Sequence, residues 1–296
     1  MNISFIGLGK MGLNLCRNLR EKGHKIKAYD IDQARVDEAK GYGIEAHLNL
    51  KDILFKGRNT VIIMIPPGQA VSRTIDRLIP ILSIGDIIID AGNSNFKNSI
   101  DHHRKLARSR IDFLDCGTSG GPRGALEGAC MMVGGDSQVF RACEEIFRDA
   151  SVEGGYLHTG EVGSGHFVKM IHNAIEYGMI QSIAEGFGVL EKSQYDLDFE
   201  KVASIWNKGS VIQSWLMERL VEIFREDRSL ETVREVEAAS GDCRWTVEAA
   251  LELNVPAPVI ALSLMMRYGS SDEHSFAEKI VTGLKNKSSG YKLSAD

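Results

Sequence analysis

The first thirty residues contain the pattern that most restricts the fold of this chain. "NISFIGLGKMG" places Gly7, Gly9 and Gly12 of a G-x-G-x-x-G motif between an apolar run that predicts a strand and a run that predicts a helix. Here the first glycine permits a tight turn, the second lets a pyrophosphate approach the backbone, and the third lets helix and strand pack closely. A glycine-rich turn that binds nothing is the alternative, which this context disfavours. The predicted cofactor contacts of the turn are Gly7, Leu8, Gly9, Lys10, Met11 and Gly12.

The first half of the chain alternates short Ile/Val-rich runs with helical segments. "NISFI", "KIKAYD", "TVIIMI" and "DIIIDAG" end at Gly, Pro or Asp, and "IDFLDCG" and "ACMMVGG" extend the series. This alternation predicts a parallel, doubly wound sheet. After about residue 160 the patterns are helical. The sequence therefore predicts an α/β Rossmann-type domain over residues 1–162 and an all-α domain over residues 163–296, ending in the polar tail "LKNKSSGYKLSAD", which we expect to be flexible unless it docks.

Composition excludes several classes of function. The formal net charge of -5 leaves no basic footprint for nucleic acid, and the longest apolar run, "VPAPVIALSLMM", is too short to span a bilayer. The five cysteines are scattered, with neither a CxxC pair nor a histidine at zinc-like spacing. We expect a cytoplasmic protein with no metal site, no nucleic-acid partner and no membrane partner.

Asp30 ends the second predicted strand, where dinucleotide-binding folds place the carboxylate that holds the ribose. Such a carboxylate accepts hydrogen bonds from both ribose hydroxyls and repels a 2′-phosphate. Ile31 and Asp32 supply no cation, and Arg35 is the nearest arginine downstream. The sequence therefore predicts NAD in preference to NADP. A second role of Asp30, as a cap for the turn that follows, is compatible with the first.

The segment "HFVKMIHNAIEYG" predicts a helix whose polarity is inverted. At about 100° per residue, Lys169, His172, Asn173, Glu176 and Tyr177 fall on one stripe, at offsets where a surface helix has its apolar residues. Apolar residues occupy the other sides, so we expect the helix to be buried, and burial of charge without partners is costly. A lysine acts as a base only when burial or a neighbouring cation lowers its pKa. The stripe therefore predicts acid–base catalysis; a solvated, salt-bridged face is the alternative.

These motifs together resemble a known family. "GLGKMG", "DAGNS" (90–94), "DCGTSGGPRGALEGACMMVGG" (115–135) and "GSGHFVKMIHNAIEYG" (163–178) are similar to the β-hydroxyacid dehydrogenases. The His-Asn-x-Ile-Glu-Tyr ending narrows the resemblance to the decarboxylating 6-phosphogluconate dehydrogenases, in their short form. The resemblance covers nearly the whole chain. It implies oxidation and decarboxylation of 6-phosphogluconate to ribulose 5-phosphate by a homodimer or homotetramer.

The resemblance implies a role for each candidate residue. Lys169 would take the proton of the 3-hydroxyl as hydride leaves C3, and would then stabilise the enediolate formed by loss of CO2. Glu176 would protonate C1, and His172 and Asn173 would orient the hydroxyls. The loop "IPPGQA", with Ile65, Pro66 and Pro67, would border the cofactor, and Asn93 would bridge nicotinamide and substrate. The substrate contacts that the resemblance implies are Asn93, Ser119, Gly120, Gly121, Lys169, His172, Asn173, Tyr177, Arg244, Thr246, Lys285 and Tyr291.

The phosphate end of the implied site departs from the family pattern. Gln213 stands where the family usually has an arginine, and Lys285 and Tyr291 stand where an arginine and a histidine usually reach in from a neighbouring subunit. Arginine binds phosphate through a bidentate fork, whereas lysine is a point charge and glutamine is neutral. Two further functions therefore stay open: the same chemistry on another, unphosphorylated 3-hydroxy acid, and a non-catalytic dinucleotide sensor. Sensing needs neither Lys169 nor Glu176, which disfavours the sensor.

Overall fold

The computed structural model describes residues 1–231, 241–268 and 276–288. The chain divides into two compact units, Met1–Met170 and Ile171–Asp296. The first unit contains an eight-stranded sheet covered by helices, and the described part of the second unit is helical. The predicted fold class, an α/β Rossmann-type domain followed by an all-α domain, is confirmed.

The sheet uses the Ile/Val-rich runs of the sequence as its central strands, in the order β3-β2-β1-β4-β5-β6-β7-β8. Helices on both faces bury these strands, which explains why they are apolar throughout rather than alternating. The chain moves outward from β1 to β3 and then crosses to β4, so the strand order reverses between β1 and β4. In open α/β sheets this is the point where ligands bind. The strands are β1 (Asn2–Ile6), β2 (Lys25–Tyr29), β3 (Glu45–His47), β4 (Thr60–Ile63), β5 (Ile87–Asp90), β6 (Asp112–Ser119), β7 (Ala129–Gly135) and β8 (Ser151–Gly160).

The helices of the first unit connect successive strands, and those of the second unit follow one another through loops. In the first unit they are α1 (Lys10–Glu21), α2 (Gln33–Gly41), α3 (Gln69–Leu78), α4 (Phe96–Ala107), α5 (Gly121–Glu127) and α6 (Ser137–Ala150). The others are α7 (Ser164–Glu191), α8 (Phe199–Trp206), α9 (Trp215–Glu226), α10 (Asp242–Glu252), α11 (Pro258–Tyr268) and α12 (Phe276–Ser288).

The prediction of a wholly parallel sheet is wrong at one pair of strands. β6 and β7 are antiparallel, whereas the other neighbouring strands are parallel. The reason is the length of the connection between them. A parallel return needs a crossover of roughly a dozen residues or more, and α5 has only seven residues. The chain therefore turns back along β6.

The first turns of α7 pack against the sheet of the first unit, which explains why that unit extends to Met170. The Asp115 carboxylate, at the end of the parallel part of β6, accepts hydrogen bonds from the backbone N–H groups of Gly163 (2.6 Å) and His166 (2.8 Å). A Cβ atom added to Gly165 would lie 2.5 Å from the carbonyl oxygens of Asp115 and Met132. The boundary predicted from the sequence, between residues 162 and 163, lies just before α7. The division into compact units lies within α7, after Met170.

Burial of α7 differs from the expectation of a helix buried on all its apolar sides. Met170 and Ala174 are buried, but Val168, Ile175 and Met179 are between 40% and 52% exposed. One apolar face of the helix is therefore open to solvent in the single chain. No helix of the described residues is long and apolar enough to cross a membrane.

The core of the second unit contains a cluster of aromatic rings among aliphatic side chains. Phe187 contacts Trp206 and Phe224 with ring centroids 5.4 Å apart, and Phe199 contacts Phe224 and Phe276 at 5.6 and 5.4 Å. Phe276 begins α12, so this helix is anchored in the core at its start.

The polar tail from Leu284 onward is expected to be flexible unless it docks, and residues 284–288 do dock. They continue α12, with Leu284 fully buried and Asn286 nearly so. Phe276, Ile280 and Val281, earlier in the same helix, pack in the core of the second unit together with Leu284. Residues 289–296, the rest of the predicted tail, lie outside the described part of the chain.

Candidate active site

The glycine turn after β1 has the geometry that the motif predicts. Gly7 adopts a φ of 101°, which L side chains rarely adopt, and a Cβ atom added to Gly12 would lie 1.9 Å from the Gly7 carbonyl oxygen. Both positions therefore require glycine. A Cβ atom on Gly9, in contrast, would have only the Arg35 guanidinium nearby, at 3.7 Å. The N-terminal backbone donors of α1 begin at this open position, which suits the pyrophosphate of a dinucleotide.

Asp30 follows β2 and faces the same turn. Its carboxylate is buried and accepts hydrogen bonds from the backbone N–H groups of Leu8 (2.7 Å) and Asp32 (3.0 Å). The capping role considered from the sequence is thus present. Arg35 lies 3.7 Å from the carboxylates of both Asp30 and Asp32. A cation therefore lies closer to the ribose position than the spacing along the chain suggested.

Two further loops lie at the same edge of the sheet as the glycine turn. Ile65, after β4, packs against both neighbouring loops: added Cβ atoms on Gly7 and Gly92 would each lie 2.6 Å from it. Pro66 and Pro67 of this loop are exposed. The loop thus borders the glycine turn, as expected of a segment that lines a cofactor.

Asn93, after β5, adopts a φ of 55°. Its side-chain oxygen accepts the Thr118 backbone N–H (2.9 Å), and its side-chain nitrogen donates to the Thr118 carbonyl (3.2 Å). These bonds tie the loop after β5 to β6. One amide hydrogen and one lone pair of Asn93 remain for the bridge between nicotinamide and substrate, which stays a prediction.

The "TSGG" segment forms the turn from β6 into α5. Ser119 is half-buried at the end of β6, and Gly120 and Gly121 adopt φ values of 120° and 61°. This left-handed backbone explains the two glycines. The predicted carboxylate contacts of these residues stay a prediction.

Lys169 lies in the second turn of α7 and is only 5% exposed. Its Cβ atom contacts the backbone of β6: a Cβ atom added to Gly117 would lie 2.2 Å from it. Glycine at position 117 is therefore what lets the helix approach the strand so closely. The backbone of the sheet thus restricts the stem of this lysine, and its catalytic role stays a prediction.

The second unit holds His172 and Asn173 through a buried carboxylate that the sequence analysis missed. His172 Nδ1 lies 3.0 Å from Asn173 Oδ1, and Asn173 Nδ2 donates to Asp242 Oδ2 at 2.8 Å. Asp242 begins α10 and is 5% exposed. In the sequence, only its position two residues before the segment "RWT" points to it. Glu176, on the same helix face, is half-buried.

Tyr177 is buried beneath an arginine that the sequence analysis also missed. The Arg267 guanidinium carbon lies 3.4 Å from the centre of the Tyr177 ring. Both terminal nitrogens of Arg267 are buried without a hydrogen-bond partner among the described residues. Lys285 of α12 is nearby: burial, followed by repulsion from Arg267, lowers its pKa. We call Tyr177, Arg267 and Lys285 the cationic cluster.

The other residues assigned to the phosphate end have different surroundings. Gln213 is exposed, and its side-chain oxygen accepts a hydrogen bond from the Gly209 backbone at 3.1 Å. Arg244 is exposed and pairs with Glu248 (2.9 Å), whereas Thr246 is buried and donates to the Asp242 carbonyl (2.9 Å). Tyr291 lies outside the described residues.

One group of potential metal ligands occurs among the described residues. His24, Glu145 and Asp149 offer ligand atoms within 4.8 Å of one another. The ring nitrogens of His24 are engaged with the Met1 amino group (3.1 Å) and Asp149 (3.0 Å). This group is explained by hydrogen bonding, and we assign no metal to it.

A Rossmann-type sheet with a glycine turn at its reversal point is typical of a protein that binds a dinucleotide. Family models match nearly the whole chain: the NAD binding domain of 6-phosphogluconate dehydrogenase over residues 2–159, and the 6-phosphogluconate dehydrogenase C-terminal domain over residues 165–294. The chain belongs to the 6-phosphogluconate dehydrogenase family and is an oxidoreductase. The resemblance drawn from the sequence is confirmed.

Known relatives agree with this membership. The chain is 49% identical over 295 residues to YqeC of Bacillus subtilis (strain 168), provisionally named a 6-phosphogluconate dehydrogenase, covering 98% of both chains. It is 39% identical to the NAD(+)-dependent, decarboxylating 6-phosphogluconate dehydrogenase of Haloferax volcanii, covering 96% of both. A solved structure of Plasmodium falciparum 6-phosphogluconate dehydrogenase, described with NADP+ and with 6-phosphogluconate, superposes with a TM-score of 0.82 at 29% identity. That match covers 98% of this chain and 64% of the other.

Proposed function

We propose that this protein catalyses the NAD-dependent oxidative decarboxylation of 6-phosphogluconate to ribulose 5-phosphate. The observation that carries the proposal is the cationic cluster. Buried guanidinium nitrogens without acceptors are costly, and a phosphate dianion satisfies them through bidentate, charge-assisted hydrogen bonds. In this proposal Arg267 supplies the arginine whose apparent loss at Gln213 leaves an unphosphorylated substrate open in the sequence analysis.

In this proposal Lys169 is the base at the 3-hydroxyl. A nicotinamide dinucleotide, held by the glycine turn and Asp30, would supply the acceptor for the hydride from C3. Lys169 takes the hydroxyl proton, and the resulting 3-keto acid loses its C1 carboxylate as CO2. The protonated Lys169 then stabilises the enediolate oxygen. Its burial against Gly117 supports this role, because a fixed stem keeps the nitrogen close to one substrate atom.

Glu176 completes the proposed reaction by protonating the carbon that has lost CO2, which is C2 of 6-phosphogluconate and becomes C1 of ribulose 5-phosphate. It lies seven residues, about two helical turns, beyond Lys169 on the same face of α7. His172 and Asn173, between them, orient the substrate hydroxyls. Tyr177, one residue beyond Glu176, belongs to the cationic cluster.

NAD preference is part of the proposal, and Asp30 supports it. The buried carboxylate at the ribose position repels a 2′-phosphate, and the Haloferax relative is named as NAD(+)-dependent. Arg35 offsets part of that repulsion. We expect wild type to show the larger kcat/KM with NAD, and Asp30→Ala to lose about tenfold or more with NAD. A wild type that prefers NADP would contradict this part of the proposal.

The function is tested by turnover on a panel of phosphorylated and free aldonates, with NADH and CO2 followed together. We expect equal yields of NADH and CO2 with 6-phosphogluconate, and much weaker turnover of gluconate. NADH without CO2 would remove decarboxylation from the proposal. Turnover of a free 3-hydroxy acid in preference to 6-phosphogluconate would overturn the substrate assignment, and binding of NAD without any turnover would favour a sensor.

The proposal includes a cytoplasmic homo-oligomer. Four apolar side chains recur at intervals of three or four residues, one just before α11 and three within it. Each is half or more exposed: Val255, Val259, Leu262 and Met266. Exposed apolar stripes of this kind favour a protein partner, and the family resemblance makes a second copy the expected one. The cysteines are free thiols, as in a reducing compartment. Light scattering should show a dimer or tetramer that Leu262→Glu dissociates; a monomeric wild type would contradict the assembly.

A further inference from the structure

The buried carboxylate of Asp242 fixes the orientation of the Asn173 amide. Asp242 Oδ2 accepts a hydrogen bond from Asn173 Nδ2 at 2.8 Å. A carboxylate is acceptor-only, so the amide must turn its nitrogen toward Asp242 and its oxygen away. Asp242 is the first residue of α10, and the positive end of that helix stabilises its negative charge. The amide of Asn173 therefore has one favoured orientation of the two that it can adopt.

The orientation of Asn173 in turn selects the tautomer of His172. The amide oxygen of Asn173 lies 3.0 Å from His172 Nδ1 and only accepts hydrogen bonds. The proton of a neutral His172 therefore resides on Nδ1, which leaves Nε2 as the acceptor nitrogen. Two hydrogen bonds, one on each side of the Asn173 amide, thus connect the buried carboxylate of Asp242 to the imidazole of His172.

We propose that Asp242 is a positioning residue for substrate binding. Through Asn173 it holds His172 in the Nδ1–H tautomer, so that Nε2 accepts a hydrogen bond from a hydroxyl of the sugar acid. With the other tautomer the imidazole would present a donor there, and the hydroxyl would have to turn its own hydrogen elsewhere. The identity of the hydroxyl-bearing ligand rests on the proposed function, but the tautomer of His172 does not.

The tautomer is measured directly on the full chain without ligand. The protein is labelled with 15N at histidine, and the spectrum is recorded at a pH where the imidazoles are neutral. The His172 signal is the one that disappears in His172→Gln. We expect wild type to show a protonated Nδ1 and an unprotonated Nε2, and Asp242→Ala to shift the proton toward Nε2. A wild type with Nε2–H, or an unchanged tautomer in Asp242→Ala, would overturn the proposal.

Two further variants separate this effect from a general loss of structure. Glu248→Ala removes the same charge from the same helix, but Glu248 is exposed and pairs only with Arg244 among the contacts described for it. It should leave the tautomer unchanged. Asn173→Ala removes the amide that connects His172 to Asp242 but keeps Asp242 itself. It should also let the His172 proton shift toward Nε2. If Asp242→Ala does not fold, Asn173→Ala decides: retention of the Nδ1–H tautomer there overturns the proposal.

Kinetics then test the consequence for the substrate. Asp242→Ala should lower kcat/KM for 6-phosphogluconate roughly tenfold to hundredfold, because a hydrogen bond to a charged group is lost. The KM for NAD should not change. A shifted tautomer with unchanged kcat/KM would overturn the positioning role. If wild type fails to turn over 6-phosphogluconate at all, the proposed function fails, whereas the tautomer measurement still decides the role of Asp242.

Discussion

The cofactor turn of the first unit and the cationic cluster of the second differ in the kind of group that holds the ligand. The turn presents backbone N–H groups, and its sequence requirement is for glycine at positions such as Gly7 and Gly12, where no side chain fits. The cluster presents Tyr177, Arg267 and Lys285, side chains from three helices. A backbone site fits in one short segment, whereas a site made of side chains takes its members from wherever the fold brings them together.

The two sites also differ in their effect on stability. The start of the glycine turn is hydrogen-bonded without a ligand, since Asp30 accepts the Leu8 N–H at 2.7 Å and the Gly7 N–H donates to the Tyr29 carbonyl at 2.9 Å. The cationic cluster places two positive side chains near each other in a partly buried setting. Like charges in such a place are unfavourable until an anion binds. Substitutions of Gly7 or Gly12 should therefore destabilise the fold, and substitutions in the cluster should weaken substrate binding without that penalty.

The largest expected effect is on catalysis itself. Lys169→Met removes the proposed base and should lower turnover by about 10³- to 10⁴-fold, with NAD affinity unchanged. Single-turnover NADH formation measures hydride transfer, and the appearance of ketose measures the later step. Glu176→Gln should slow the second step more than the first. A normal burst of NADH from Lys169→Met would refute the assignment.

The next effect separates backbone geometry from ligand contact within the turn. Gly12→Ala forces a Cβ atom against the Gly7 carbonyl and should cost about 1–3 kcal/mol of folding free energy. Gly9→Ala meets only the tip of Arg35. It should keep the melting temperature of wild type but lower NAD affinity about tenfold, equivalent to ~1.4 kcal/mol. Calorimetric melting and titration measure the two quantities; equal melting temperatures for both variants would contradict the comparison.

A matched pair of arginines tests the cationic cluster. Arg267→Met should raise KM for 6-phosphogluconate roughly tenfold to hundredfold, with little change for gluconate, which has no phosphate. Arg244→Met, an exposed residue paired with Glu248, should change KM much less. Steady-state kinetics on both substrates measure the difference. A larger effect at Arg244 would place the phosphate on α10 instead.

The smallest expected effect is that of Lys285→Met, which should stabilise the fold, whereas Gly12→Ala should destabilise it. Burial and Arg267 lower the pKa of Lys285 in the folded protein. The unfolded chain therefore binds more protons between the two pKa values, so the Lys285 contribution to stability rises as pH increases through that alkaline window. Lys285→Met removes this charge penalty. Without ligand it should melt about 1–3 °C higher at neutral pH, yet bind 6-phosphogluconate more weakly. A lower melting temperature would show that Lys285 stabilises the fold.

Much of the fold could be predicted because it depends on short-range patterns. Apolar runs ended by Gly, Pro or Asp located β1, β2, β4 and β5, and the helical pattern after residue 160 located the second unit. The antiparallel β6–β7 pair was missed because strand direction depends on the length of the connection, which the periodicity of the strands does not encode. The docking of α12 was missed because it depends on a partner surface, α9, elsewhere in the chain.

The sequence by itself determined the glycine turn, the carboxylate at Asp30 and the polar stripe of α7, because backbone strain and helical periodicity act over a few neighbouring residues. Only the tertiary structure decided that Arg267 covers Tyr177, that Lys285 approaches Arg267, and that Asp242 holds Asn173. The first and last of these contacts join helices that are distant along the chain, and the second joins the successive helices α11 and α12. The packing of the second unit brings these helices together. The sequence around an arginine or an aspartate in a single helix does not show which residue of another helix will contact it.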